Sequence, residues 1–173
     1  MTDMVRDQPI RIVPYDASWP ARFEDEKRVL LAVVGDVAVG GVHHVGSTSV
    51  PGLAAKPTID ILVGVASLDA ARPYFADLAD LEYNYAPYRP SEMHWFCKPS
   101  PAVRTFHLHL VAHDSERYVQ ELEFRDILCG NPEAAGRYEA LKLRLADTFG
   151  HDREGYTDAK ASFIANVLAN VHS

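Results

Sequence analysis

Apolar residues fall at helical spacing in some stretches of the chain and at strand spacing, or in unbroken runs, in others. Phe23, Val29, Leu30 and Val33 form an i, i+3, i+4 stripe, which predicts an amphipathic helix from Trp19-Pro20 onward. Pro20 suits its first turn, Asp16 or Ser18 caps it, and Gly40-Gly41 closes it. Arg11-Ile12-Val13-Pro14 reads as a short edge strand, and residues 1–10 as a loose tail. Val42 to Val45 is a strand, and Ile59 to Val65 a second one, apolar apart from Asp60 and Gly64. Ser67 or Asp69 caps a helix through Ala70, Phe75 and Leu78. Strands follow at Tyr83 to Tyr88 and His94 to Lys98, with a turn at Arg89-Pro90-Ser91-Glu92. Thr105 to Ala112 alternates with a period of two, which puts His107 and His109 on one face. Beyond Ser115 the pattern is helical: Glu116 to Leu128, then a helix from Pro132-Glu133 through Tyr138, Leu141, Leu145 and Phe149. A last helix is capped by Thr157 or Asp158, with Phe163, Ile164, Val167 and Leu168 as its buried stripe.

This order predicts an α+β (α/β-like) fold: a mixed sheet of about five strands flanked by helices, with an all-helical final third. The 173 residues, 47% hydrophobic and 24% charged, suit one domain over 1–173 with its own core. A net charge of −7 argues against a broad nucleic-acid surface while leaving room for a small-molecule phosphate site. Cys97 and Cys129 lack any CxxC spacing, which fits free thiols in a reducing compartment. The first residues carry no apolar signal core and no run reaches membrane-spanning length, so the expected location is cytoplasmic.

The chemistry concentrates between His43 and Val63. Asp60 is a lone acid among Ile, Leu and Val, and such a carboxylate costs several kcal/mol unless it is paired, hydrogen-bonded or bound to a cation. A Gly46-Ser47 turn lies upstream as a natural partner. Lys56, held extended by Pro57, can reach a phosphate, and Arg104 at the entry to the His-x-His strand can meet an anion. Tyr156 and Lys160, four apart, can join one site; Arg125 can instead form an ion pair with Glu121. His44 is weighed equally as ligand and as structure, whereas His43 alternates to the other side. Tyr83, Tyr85, Tyr88, Trp95 and Phe96 read as core packing, with Tyr88 or Trp95 favoured if one of them stacks a nucleobase.

His44-Val45-Gly46-Ser47-Thr48-Ser49-Val50-Pro51-Gly52-Leu53-Ala54-Ala55-Lys56-Pro57, followed by Ile59-Asp60-Ile61-Leu62-Val63, resembles the signature of the GrpB-like family. Tyr15 to Pro20, Phe106 to Val111, Phe124 to Leu128, Tyr138 to Lys142 and Tyr156 to Lys160 extend the resemblance over nearly the whole chain. By fold that family belongs to the nucleotidyltransferase superfamily, which includes DNA polymerase beta. The resemblance implies a phosphate cradle at Gly46, Ser47, Thr48 and Ser49, and nucleotide contacts from Lys56, Arg104, Tyr156 and Lys160. It implies a catalytic group of Asp60, His107 and His109, holding a divalent metal (Mg, Mn or Zn) together with His44. The usual acid pair is incomplete, because Asp60 is flanked by Thr58 in one register and Leu62 in the other. One carboxylate with two imidazoles suits a transition metal, or no metal, better than magnesium.

The expected partner is a nucleotide or phosphorylated metabolite, and the expected activity nucleotidyl or phosphoryl transfer. A non-catalytic nucleotide binder and a His/Asp metal-dependent hydrolase are the alternatives. Relatives fused to dephospho-coenzyme A kinase suggest a substrate near coenzyme A metabolism.

Overall fold

A computed structural model describes residues 8–171. Five strands form one mixed sheet: β1 (Gly41–Val45), β2 (Ile59–Val65), β3 (Asn84–Tyr85), β4 (Met93–Pro99) and β5 (Arg104–Ala112). They lie in the order β1-β2-β5-β4-β3, and β2 and β5 are the parallel pair. Helices α1 (Trp19–Val34), α2 (Leu68–Ala71) and α3 (Phe75–Asp80) cover one face, over Val42, Ile59, Ile61, Val63, Phe96, Leu108 and Leu110. The other face carries Val45, Leu62, Met93 and Val111 against Tyr118 and Leu122 of α4 (Glu116–Gly130). Helices α5 (Pro132–Phe149), α6 (Arg153–Ala159) and α7 (Ala161–Val171) complete the helical third. The expected fold class is therefore the observed one. Among the described residues no helix is long and apolar enough to cross a membrane.

Several local expectations change. Of the supposed tail, residues 1–7 lie outside the described residues, but Ile10 is buried and its N–H donates to the Gly150 carbonyl at 2.8 Å. The edge strand at 11–14 is a single bridge between Val13 and Ala55. In α1 the buried residues are Trp19, Phe23, Glu26, Leu30 and Val34, and Val29 is exposed. The helix ends at Val34, before the glycine pair. Ser18 makes no side-chain cap; Asp16 accepts the Ser18 N–H at 2.8 Å. The helix after Ser67 breaks into α2, a 3-10 turn at Arg72–Tyr74 and α3, because Pro73 has no N–H to continue the ladder. The strand expected at Tyr83 to Tyr88 shrinks to Asn84–Tyr85, since Pro87 cannot donate to a neighbour. Thr157 and Asp158 lie inside α6, whose cap is Asp152, accepting the Gly155 N–H at 2.9 Å.

Candidate functional site

Register decides which polar side chains meet. Asp60 pairs with Val45 on one side and His107 on the other, while His109 pairs with Leu62. Paired residues share a face, so Asp60, His107 and His109 all emerge beneath α4, away from α1. His107 Nδ1 donates to Asp60 Oδ1 at 3.0 Å, and His109 Nε2 lies 3.8 Å from the same oxygen. His109 Nδ1 reaches Glu121 at 3.2 Å, and Glu121 takes Arg117 at 2.9 Å. Signs alternate along this row.

Burial raises the Asp60 carboxyl, but the hydrogen bond from His107 and the nearby His109 imidazolium hold it well below the usual carboxylate range. Burial pushes His107 down to about 4 despite its bond to Asp60. Burial also depresses His109, yet the Glu121 charge and hydrogen bond, with the nearby Asp60 carboxylate, lift it to about 9. At neutral pH His107 is therefore neutral and His109 an imidazolium. Because Asp60 only accepts, the His107 proton is assigned to Nδ1, which leaves a lone pair on Nε2. That nitrogen is buried and has no protein partner.

Gly46 makes the approach to Asp60 possible. Its φ of +72° and ψ of −174° lie in a region essentially restricted to glycine. A Cβ there would stand 2.3 Å from Asp60 Oδ2. Gly46→Ala is expected to cost about 2 kcal/mol of stability, from backbone strain and a displaced carboxylate. Chemical denaturation would measure it, and unchanged stability would remove Gly46 from this role.

Three lysines from separate segments share the cavity with Asp60. Lys56 and Lys160 share one ring, their amines 4.9 and 4.5 Å from the Tyr156 centroid. Lys142, on α5, lies 5.0 Å from the Tyr138 centroid and donates to the Ala54 carbonyl at 2.5 Å. Glu139, one turn earlier, accepts the Ala54 N–H at 2.9 Å, so α5 clamps the loop that carries Lys56. Burial, then repulsion from Lys160, pushes Lys56 and Lys142 down to about 7; burial pushes Lys160 down to about 8. Burial raises the Tyr138 and Tyr156 phenols, and the Tyr156 hydroxyl is buried without a partner. These groups share with Asp60 one cavity of about 1010 Å³.

Of the residues expected from sequence, Gly46, Ser47, Lys56, Asp60, Arg104, His107, His109, Tyr156 and Lys160 all line that cavity. Arg104 lies 5.2 Å from the Trp95 ring centroid. Thr48, Ser49 and His44 are not brought there. Thr48 is buried, with its hydroxyl 2.8 Å from His44 Nε2, and the Ser49 hydroxyl donates to the Gly46 carbonyl. His44 stacks on Phe23 of α1, on the far face, and burial pushes it down to about 4. His43 takes the face expected of His44 and reaches Tyr118 at 3.1 Å. Arg125 pairs with Asp126 and donates to the His44 carbonyl rather than meeting Glu121. Thr58, at the vacant acid position, donates to the Arg104 carbonyl at 2.8 Å, and Leu62 is core.

Sequence reasoning missed Lys142, Tyr138 and Glu121 as site residues. A signal existed for the first: Lys142 follows Tyr138 by four on the apolar side of α5 and is more buried than Leu141 or Leu145. No three His, Cys, Asp or Glu side chains converge to hold a metal ion among the described residues. Asp60 is engaged by two imidazoles, one of them charged, so the donor set does not fit a protein-held divalent cation.

A family model described as GrpB protein matches residues 9–170. The glutamate-rich protein GrpB of Alkalihalophilus pseudofirmus is 30% identical over 162 residues, covering 91% of this chain and 92% of that protein. The crystal structure of the conserved protein GrpB from Enterococcus faecalis superposes with a TM-score of 0.81 at 31% identity, over 91% and 94% of the two chains. A dephospho-CoA kinase of Mycolicibacterium paratuberculosis is 42% identical over 73 residues, covering 40% of this chain and 18% of that protein.

Proposed function

Because the chain belongs to the GrpB family, matched over residues 9–170, we propose a function read from its cavity: it binds a phosphorylated small molecule and transfers a phosphoryl or nucleotidyl group from it to a hydroxyl. The observation that carries the binding is the convergence of Lys56, Lys142 and Lys160. Three desolvated amines held together repel one another, and a polyanion between them removes both penalties at once. Gly46 and Ser47 border the same space, and Arg104 adds a further cation. The partial likeness to a dephospho-CoA kinase points to the same ligand class.

The transfer half rests on Asp60 and His107. Asp60 orients the imidazole by accepting from Nδ1, which leaves the buried, unpartnered Nε2 of this cavity-lining residue as the proton acceptor. An acceptor oxygen attacks phosphorus, the bond from phosphorus to its leaving oxygen breaks, and the acceptor proton passes to His107 Nε2. His109, held as a cation between Asp60 and Glu121, keeps the carboxylate ionised. No step of this reading runs through a protein-held divalent metal, because Asp60, the single acid of the β2 strand, is already engaged by His107 and His109. A second reading, binding without transfer, is favoured by that single carboxylate where a two-metal site needs several.

Titration calorimetry with pyrophosphate at pH 6.5 tests the binding. Micromolar affinity is expected, falling about 10-fold in Lys56→Met. No binding of pyrophosphate, with or without Mg²⁺, would overturn the proposal. Binding with no phosphate release from nucleoside triphosphates, under any metal, would leave the non-catalytic reading.

A further inference from the structure

Helix α7 carries two apolar faces, one packed on the helical third and the other half-buried along the cavity. Phe163 stacks on Tyr138 with ring centroids 5.5 Å apart, and Val167 is buried. The sequence pattern groups Ile164 and Leu168 with these two as one buried stripe. Instead they turn away, only half-buried, and line the cavity together with Ala161, Ala165 and Ala169. The spacing 161, 164, 165, 168, 169 is one continuous helical stripe. Val119 of α4, 54% exposed, and Met93 of β4 line the same cavity.

The cavity therefore has a cationic part and an aliphatic wall. Its volume of about 1010 Å³ is large even for a small-molecule site. The aromatic rings nearby are already occupied. Trp95 has His107 at 4.8 Å and the Arg104 guanidinium at 5.2 Å. Tyr156 holds Lys56 and Lys160, Tyr138 holds Phe124, Phe163 and Lys142, and Tyr88 lies beneath Arg89 with its hydroxyl 3.3 Å from Asp158. Tyr88 and Trp95, the rings expected to stack a base, each already carry a guanidinium.

Resting on the phosphate-binding reading above, we infer that the ligand is an aliphatic phosphate ester, its phosphate among the lysines and its flexible apolar body along the 161–169 stripe of α7. A planar nucleobase gains little from this wall, whereas an alkyl or branched chain gains with each methylene it buries.

The test is a calorimetric series at pH 6.5: methyl, butyl and hexyl phosphate, with AMP beside them. Hexyl phosphate is expected to bind about 30-fold more tightly than methyl phosphate, the result of burying roughly half of the added methylenes. The variant Ile164→Ser/Leu168→Ser is expected to flatten the series to within about 3-fold while keeping methyl phosphate affinity, which also shows that it is folded. A flat wild-type series, or AMP tighter than hexyl phosphate, overturns the aliphatic inference and leaves phosphate binding in place. Failure of every compound to bind overturns the underlying reading as well.

Discussion

Replacing Lys142 by methionine is expected to weaken pyrophosphate binding about 100-fold at pH 6.5 while making the free protein more stable. The two effects have one cause. The Lys142 amine is buried, with a single hydrogen bond to the Ala54 carbonyl and two other lysines nearby. Its pKa falls from 10.5 to about 7 in the fold. A base lowered in this way penalises the native state wherever it must carry charge. The penalty is full below about pH 7 and disappears above the unfolded value. Methionine fills similar volume without the charge and loses about 1 kcal/mol with the Ala54 bond. A net gain of about 2 kcal/mol follows, or a melting temperature roughly 5 °C higher near pH 6. The anion supplies the counter-charge in the wild type, so its loss of affinity in the variant is of the size seen for truncated buried charge partners. The same logic sets the pH dependence. Wild-type pyrophosphate affinity falls as pH rises through 7 to 8, where Lys56, Lys142 and Lys160 deprotonate. At pH 8 binding takes up protons, which appears as an enthalpy that changes with buffer. Equal affinity at pH 6 and pH 9 would remove the lysines from the site.

Much of this was legible in the chain. Hydrophobic runs placed β2 at Ile59–Val65 without error, and alternation put His107 and His109 on one face. Asp60 stood out because a carboxylate among Ile, Leu and Val demands a partner, and it has His107. Other features depended on register or on long-range contact. Whether His43 or His44 shares a face with Asp60 follows from the pairing of Val45 with Asp60, which no local pattern fixes. Thr48 and Ser49 look like a phosphate cradle in sequence, but a 3-10 turn directs their hydroxyls into local hydrogen bonds. Lys142 hid inside an amphipathic helix because lysine there usually marks the solvated side. The i, i+4 spacing offers Glu121 to Arg125, yet His109 and Arg117 claim it instead. The division of α7 into a packed face and a cavity face is invisible to periodicity, since both faces are apolar.

Asp60→Asn is expected to remove transfer and to lower stability by about 3 kcal/mol, yet to bind pyrophosphate more tightly at pH 6. The carboxylate ties His107 and His109 to β2, and removing one partner of such a group leaves the other charge unpaired. Its side chain keeps 26% of its exposure towards the cavity, so the cost falls at the low end for a buried pair. The sign of its linkage is that of a depressed acid. Its contribution is present above the unfolded value of 3.8 and is lost as pH falls below that value. The variant therefore loses less stability than the wild type on acidification. His109 behaves in the opposite sense: its raised pKa stabilises fully below 6.5 and fades as pH rises through about 9. Part of that support goes with Asp60. The tighter anion binding arises because Asp60 is the carboxylate whose charge reaches all three lysines and opposes an incoming phosphate. At pH 6 the lysines are charged in either protein, so removing the acid leaves attraction alone. A variant that binds more tightly and transfers nothing separates the anion site from the proton acceptor. One that retains transfer excludes the Asp60–His107 pair, and one that binds more weakly at pH 6 places the phosphate away from Asp60.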